Sequence, residues 1–180
     1  MALKPTVYKA TVKLANSDDA YYSTLSLTLA RHPSETLERM TVRLLAYCLF
    51  AQPRLEFGRG LSTTNEPDLW LHNDSGEVEH WIEVGQIEPQ RLRKACRRAR
   101  NVSVCCFGRS ADTWWRLNKE AVMLLPNISV WHYPFPEVTD IAALIDRNVT
   151  LSISIVGGVL YADNGSESAS LEPMRLFSQE

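Results

Sequence analysis

Apolar and polar residues roughly alternate along residues 7–15 (VYKATVKLA). They alternate strictly in the second half of residues 21–30, where Leu25, Leu27 and Leu29 are separated by Ser26 and Thr28. A period of two marks a strand with one buried face, and Asn16-Ser17-Asp18-Asp19 supplies turn residues between the two runs, so the chain opens with a β-hairpin. The spacing then lengthens to about 3.6 residues: Leu37, Met40, Thr41, Leu44, Leu45 and Cys48 line one side of a helix that Pro53 stops. Ser34 is the expected N-cap, with Glu35 and Glu38 near the positive helix end. Residues 54–67 read as loop. DLWLH (68–72) and VEHWIEVG (78–85) flank Asn73-Asp74-Ser75-Gly76, a second hairpin. Pro89 opens a helix to about Ala99 that buries Leu92, Ala95, Cys96 and Ala99. VSVCCFG (102–108) is a buried strand, residues 112–124 a helix, ISVWHY (128–133) a strand and 138–145 a short helix. A hairpin around Gly157-Gly158 covers 149–163, and the polar residues 164–180 are expected to form a mobile tail.

This order, β-β-α-β-β-α-β-α-β-α-β-β, predicts an α/β fold with one mixed central sheet flanked by helices, in a single domain over residues 1–163. The length of 180 residues fits one domain. Apolar residues at 45% and charged residues at 22% argue against disorder and against a coiled coil. The longest apolar run, Leu44 to Ala51, is too short to span a membrane, and the first residues lack a signal-peptide core; a cytoplasmic protein without a membrane partner is expected.

The net charge of −2 argues against a polyanion binder that uses its whole surface. Six of the 19 basic residues nevertheless fall in RLRKACRRAR (91–100), a local basic helix on which Arg91, Lys94 and Arg98 are candidate nucleic-acid contacts. Ser62, Thr63 and Thr64 are weaker candidates for a phosphate. The four cysteines show no CxxC spacing and the four histidines no HxH or HxxxH spacing, so they read as small buried hydrophobes and as no zinc site.

A turn centred on Asp74-Ser75 sets Trp81 opposite Asp68 and Glu83 opposite Glu66, which makes Asp68 and Glu83 diagonal neighbours on one face. A slip of one residue would send them to opposite faces. Two carboxylates so placed suit Mg²⁺ or Mn²⁺, hard ions that keep waters and take a substrate phosphate. Trp70 and Trp81 share that face, as core or as stacking platforms.

An acid on the first helix, then Pro67-Asp68, then Glu83-Val84-Gly85, then a basic helix, resembles the PD-(D/E)XK nuclease superfamily and its α-β-β-β-α-β core. The motif's lysine position is Gly85 here, and Arg91 or Lys94 on the following helix are candidates for its role. GLSTTNEPDLW, followed by WIEVGQ, RLRKA, RRA and TWW, together with HPSETLERMTVRLLAY, more closely resembles the bacterial YaeQ family, over nearly the whole chain. That resemblance implies a variant PD-(D/E)XK (restriction endonuclease-like) core with an N-terminal and a C-terminal hairpin. It points to Asp68, Glu83 and Gln86 as functional positions, with Glu38 as a further metal ligand; Lys94 or Arg91, just after the strand, would take the missing lysine's catalytic charge role. The expected function is metal-dependent hydrolysis of phosphodiesters in DNA or RNA. The alternative is an inactive nuclease-fold module that binds nucleic acid or a protein of transcription or repair.

Overall fold

The alternating N-terminal segments pair as expected: β1 (Thr6–Asn16) and β2 (Tyr21–Arg31) run antiparallel without a register break. The structure, a computed structural model, describes residues 3–61 and 63–179. The chain continues through α1 (Leu37–Leu49), β3 (Glu56–Phe57), β4 (Leu69–His72), β5 (Val78–Val84), α2 (Pro89–Arg98), β6 (Ala99–Phe107) and α3 (Ala111–Met123). It ends with β7 (Ile128–Tyr133), α4 (Phe135–Ala142), β8 (Asn148–Val156), β9 (Val159–Asp163), β10 (Ser168–Leu171) and β11 (Met174–Ser178). No helix is long and apolar enough to cross a membrane among the described residues.

The one central sheet expected from the element order is replaced by two mixed sheets, of five and six strands. They belong to two compact units, one comprising the residues up to Gln52 with Pro134–Pro173, the other Pro53–Tyr133 with the residues from Met174. The physical reason is strand pairing. β1 is flanked by β2 on one side and by β8, parallel, on the other, so both of its edges are taken within the first sheet. The expected mobile tail is also corrected: β10 pairs with β9 and β11 with β7. Strands of four and five residues carry too few alternations to stand out in a polar segment.

In the first unit the sheet order is β10-β9-β8-β1-β2. Its inner face is Val12, Leu14, Leu29, Leu151, Ile153, Ile155 and Leu160, every second residue of each strand. α1 packs on α4 and β2, and α4 on β10. The N-cap of α1 is Thr36, not Ser34: Thr36 Oγ1 accepts the Arg39 N–H at 3.1 Å. Glu35 is thereby turned inward, with only 3% of its surface exposed, as is Arg43. Arg43 donates from Nε (2.8 Å) and Nη2 (2.9 Å) to the two Glu35 oxygens, and Arg39 adds a bond of 2.8 Å. The like-charged Arg39 and Arg43 are thus explained by an acid that sequence reading assigns to the helix dipole.

In the second unit the order is β11-β7-β6-β5-β4-β3. β5, β6 and β7 are parallel, and the C-terminal half of β5 is buried on both faces, which suits a central strand. One face packs Trp81, Val102, Val104, Ile128 and Val130 with Leu92 and Ala95 of α2 and Trp114 and Val122 of α3. Three of the four cysteines are buried, and burial pushes the Cys48 and Cys106 thiols up to about 12.

Removing one partner of a buried ion pair costs about 3–5 kcal/mol, because the other charge stays desolvated. Glu35→Gln is therefore expected to lower stability by about 3 kcal/mol in urea unfolding. Glu38→Gln, at a half-buried helix position, should change it by no more than about 0.5 kcal/mol.

Candidate functional site

The hairpin that carries the carboxylates is built by Asn73. Its main-chain N–H donates to Glu77 O (2.9 Å), and its Oδ1 accepts the N–H groups of Ser75 (3.0 Å) and Glu77 (2.9 Å). This turn is one residue longer than the sequence suggests. A bulge then shifts the register by one more: His72 pairs with Val78, but Leu71 with His80. The expected pairing is therefore corrected by two residues. Trp81 lies opposite Trp70 and not Asp68, and the same register continued one residue past Leu69 sets Asp68 level with Glu83. Two single shifts preserve parity, so the carboxylates keep the common face that the sequence predicts.

Both acids are nearly enclosed, Asp68 at 7% exposure and Glu83 at 2%. Asp68 Oδ2 accepts the Val84 N–H at 2.8 Å. Glu83 Oε1 accepts from Trp81 Nε1 (2.9 Å) and Arg91 Nε (2.7 Å). Burial pushes the Glu83 carboxyl above its ordinary range and the Asp68 charge adds to this, while Arg91 and Trp81 oppose it. Gly58 sits against the strand carrying Asp68: its N–H bonds Asp68 O at 2.9 Å, and a Cβ there would lie 2.0 Å from Pro67 O.

α2 supplies the cations. Beyond Glu83, Arg91 donates from Nη1 to Thr64 O (2.5 Å) and from Nη2 to Glu66 O (3.0 Å). Arg98 Nη1 donates to Asn65 O (3.0 Å), and its guanidinium lies 4.9 Å over the Trp81 ring. Trp81 is core: it is 3% exposed and meets Trp70 edge-on with centroids 6.0 Å apart. A cavity of about 300 Å³ opens between this loop and α2, lined by Thr64, Asn65, Trp81, Arg91, Lys94 and Arg98. Lys94 is exposed at its rim. Ser62 lies outside the described residues.

Other candidates fall elsewhere. Gln86 Nε2 donates to Phe107 O (2.6 Å) and Ser110 Oγ (3.0 Å), so its amide nitrogen ties two loops together. Glu38 belongs to α1 of the other unit, and no three His, Cys, Asp or Glu side chains form a metal-sized group among the described residues. Gly85 has φ +116°, a region essentially closed to residues with a Cβ, although its N–H still bonds Cys105 O at 2.9 Å. The place where the motif would put lysine is thus a backbone twist that only glycine takes without strain.

Sequence reading missed a polar chain that crosses three strands. His80 Nε2 is 2.8 Å from Ser103 Oγ, Ser103 Oγ is 2.9 Å from Ser129 Oγ, and Trp131 Nε1 donates to Ser129 Oγ at 3.3 Å. Burial holds the His80 imidazole down to about 4. Only the polar residues at alternating positions of otherwise apolar strands hint at it.

Two mixed sheets and four helices among the described residues, with an acid pair beside a basic helix, define a mixed α/β protein of distinctive architecture, and comparison with known proteins identifies its family. The family model described as YaeQ protein matches residues 1–173, and the chain belongs to the YaeQ family. YaeQ of Escherichia coli (strain K12) is 43% identical over 162 residues, 89% of this chain and 90% of that protein. YaeQ of Salmonella typhi is 38% identical over 173 residues, 96% of each chain. The crystal structure of YaeQ from Xanthomonas axonopodis pv. citri superposes with a TM-score of 0.92 at 40% identity, covering 97% of this chain and 99% of that one. YaeQ from Pseudomonas syringae gives a TM-score of 0.92 at 34% identity over 97% of each.

Two outcomes follow. Gly85→Ala and Gly85→Lys are both expected to cost about 1–3 kcal/mol in chemical unfolding, because the strain lies in the backbone. His80 protonates in the unfolded chain near 6.5 but in the folded chain only near about 4. Its contribution is therefore complete above 6.5 and lost as pH falls toward about 4, up to about 3 kcal/mol. His80→Asn should flatten the stability–pH curve across that window.

Proposed function

We propose that this chain is a metal-dependent phosphodiester hydrolase acting on nucleic acid in the bacterial cytoplasm, built on a variant PD-(D/E)XK core. The observation that carries the reading is the level, enclosed pair Asp68 and Glu83 beside a cavity rimmed by Lys94 and Arg98. The donor set suits Mg²⁺ or Mn²⁺: two hard carboxylates, with no third acid grouped with them among the described residues, leave room for waters and a substrate phosphate. Asp68 and Glu83 would hold the ion, which supplies an acidified water and charge stabilisation at phosphorus. Lys94 draws a phosphate toward the cavity, and Arg98 completes that contact from the Trp81 face. Arg91 orients Glu83 and fixes the loop that leads to Asp68. Gln86 keeps the strand end and the start of α3 in register instead of meeting substrate.

A second reading, a catalytically silent module for nucleic acid or for a transcription or repair protein, is favoured by one feature. The cation nearest Glu83 already neutralises it, and Gly85 offers no charge at the reacting phosphate.

Calorimetric titration of Mn²⁺ is expected to show saturable binding that Asp68→Asn and Glu83→Gln both abolish. Lys94→Ala should retain the metal but weaken oligonucleotide binding and lower the slope of log affinity against log salt by about 1. An Asp68→Asn protein that cleaves as fast as wild type overturns the hydrolase, and salt-dependent binding without cleavage by wild type establishes the module.

A further inference from the structure

We infer that the outer edge of β2 is a self-pairing surface, and that two copies of this chain join there into one continuous ten-stranded sheet. Two independent contacts, one on β1 and one on β2 itself, fix which way β2 faces. Lys9 of β1 donates its N–H to Arg147 O (2.8 Å) on the β8 side, so Tyr8, Ala10, Val12 and Leu14 of β1 must point their main chain at β2. Their partners are Leu29, Leu27, Leu25 and Ser23. Tyr22, Thr24, Ser26, Thr28 and Ala30 therefore direct their N–H and C=O groups outward. Ala30 agrees, since its carbonyl accepts Arg43 Nη2 at 3.1 Å. Between Tyr22 and Thr28 these outward groups meet no main-chain partner among the described residues.

Free edges are normally blunted by charge, proline, bulges or shortness. The other three edges follow that rule: β3 has two residues, β10 four, and β11 five with a register break. β2 has 11 residues, no break, and no charge or proline before Arg31. A second β2 laid antiparallel about a two-fold axis through Ser26 matches it. Ser26 meets Ser26 and Thr24 meets Thr28, each a hydrogen-bonded pair, and Leu25 meets Leu27 on the inner face. Parity is kept, so the exposed Tyr22, Thr24, Ser26 and Thr28 remain on the solvent face and the leucines remain inside. Leu25, half-buried where Leu27 and Leu29 are buried, gains cover. The strand is its own complement without any like-charge contact, which favours a second copy over an unrelated peptide.

Sedimentation should show twice the chain mass. Ser26→Lys places two ammonium groups across the axis and should raise the dimer dissociation constant by about tenfold or more, with unchanged circular dichroism. In Ser26→Cys the two thiols sit on an antiparallel pair with Cα atoms ~5.5 Å apart, within disulfide reach, so mild oxidation should give a covalent dimer; Thr28→Cys, which faces Thr24, should not. A wild-type chain that is monomeric at every concentration overturns the inference. So does a dimer that Ser26→Lys leaves intact, or a folded Ser26→Cys protein that does not cross-link.

Discussion

The guanidinium of Arg91 governs both acids of the candidate site. Its Nε holds Glu83 directly, and its two Nη groups hold the carbonyls of Thr64 and Glu66, the residues leading into Pro67-Asp68. An ionised carboxylate as enclosed as Glu83 is costly unless it is paired. Arg91 meets that need while remaining 35% exposed itself, so its own desolvation is only partial. Helix α2, strand β5 and the 63–67 segment are thus fastened at one point. Arg98 reinforces it by taking the intervening carbonyl of Asn65 and covering Trp81. Three successive loop carbonyls that lack strand or helix partners are satisfied by two side chains of one helix.

The second constraint is parity. The longer turn and the bulge each shift β4 by one residue against β5, and together they return Asp68 to the face it would have had in a tight hairpin. Either shift alone would set Asp68 and Glu83 on opposite faces. Gly85 works at the other end of the same strand. Its positive φ turns the chain just past Val84, whose N–H is held by Asp68. The strand thus stops where its acid is placed, and the next side chain, Gln86, is sent toward Phe107 and Ser110.

Much of this was legible in the sequence because it depends on local periodicity. The opening hairpin, the helical stripe of α1, Pro89 at the start of α2 and the shared face of Asp68 and Glu83 all follow from spacing. What escaped depends on contacts remote in sequence. That β1 closes a sheet of its own with β8 is a pairing across more than a hundred residues, about which alternation is silent. Glu35 reads as a dipole acid until Arg43 is seen to grip it. Arg91 reads as a reactive cation because it lies just after β5, and Gln86 as a functional position by family resemblance; the structure adds that Arg91 holds Glu83 and two loop carbonyls, and that Gln86 donates to Phe107 O and Ser110 Oγ. Charged and amide side chains announce chemistry in a sequence, but buried hydrogen-bond needs compete for the same groups.

The basic side chains of α2 are unequally available to an anion. Arg91 is committed to Glu83 and two loop carbonyls, Arg98 reaches Asn65 O through one nitrogen, and Arg100 approaches Glu79 at 3.7 Å. Lys94, at the cavity rim, is the compact cation best placed to meet an incoming anion. In a chain of net charge −2, attraction beyond about one Debye length, roughly 8 Å at physiological salt, is weak. On the proposed reading, a strand of nucleic acid is therefore not gathered by the protein's field as a whole. On that reading one phosphate reaches Lys94 while its neighbour meets the ion held by Asp68 and Glu83, two acids whose charge Arg91 offsets only in part. On the proposed reading the divalent ion is thus needed for binding as well as for chemistry, and it converts the repulsive end of the site into the attractive one.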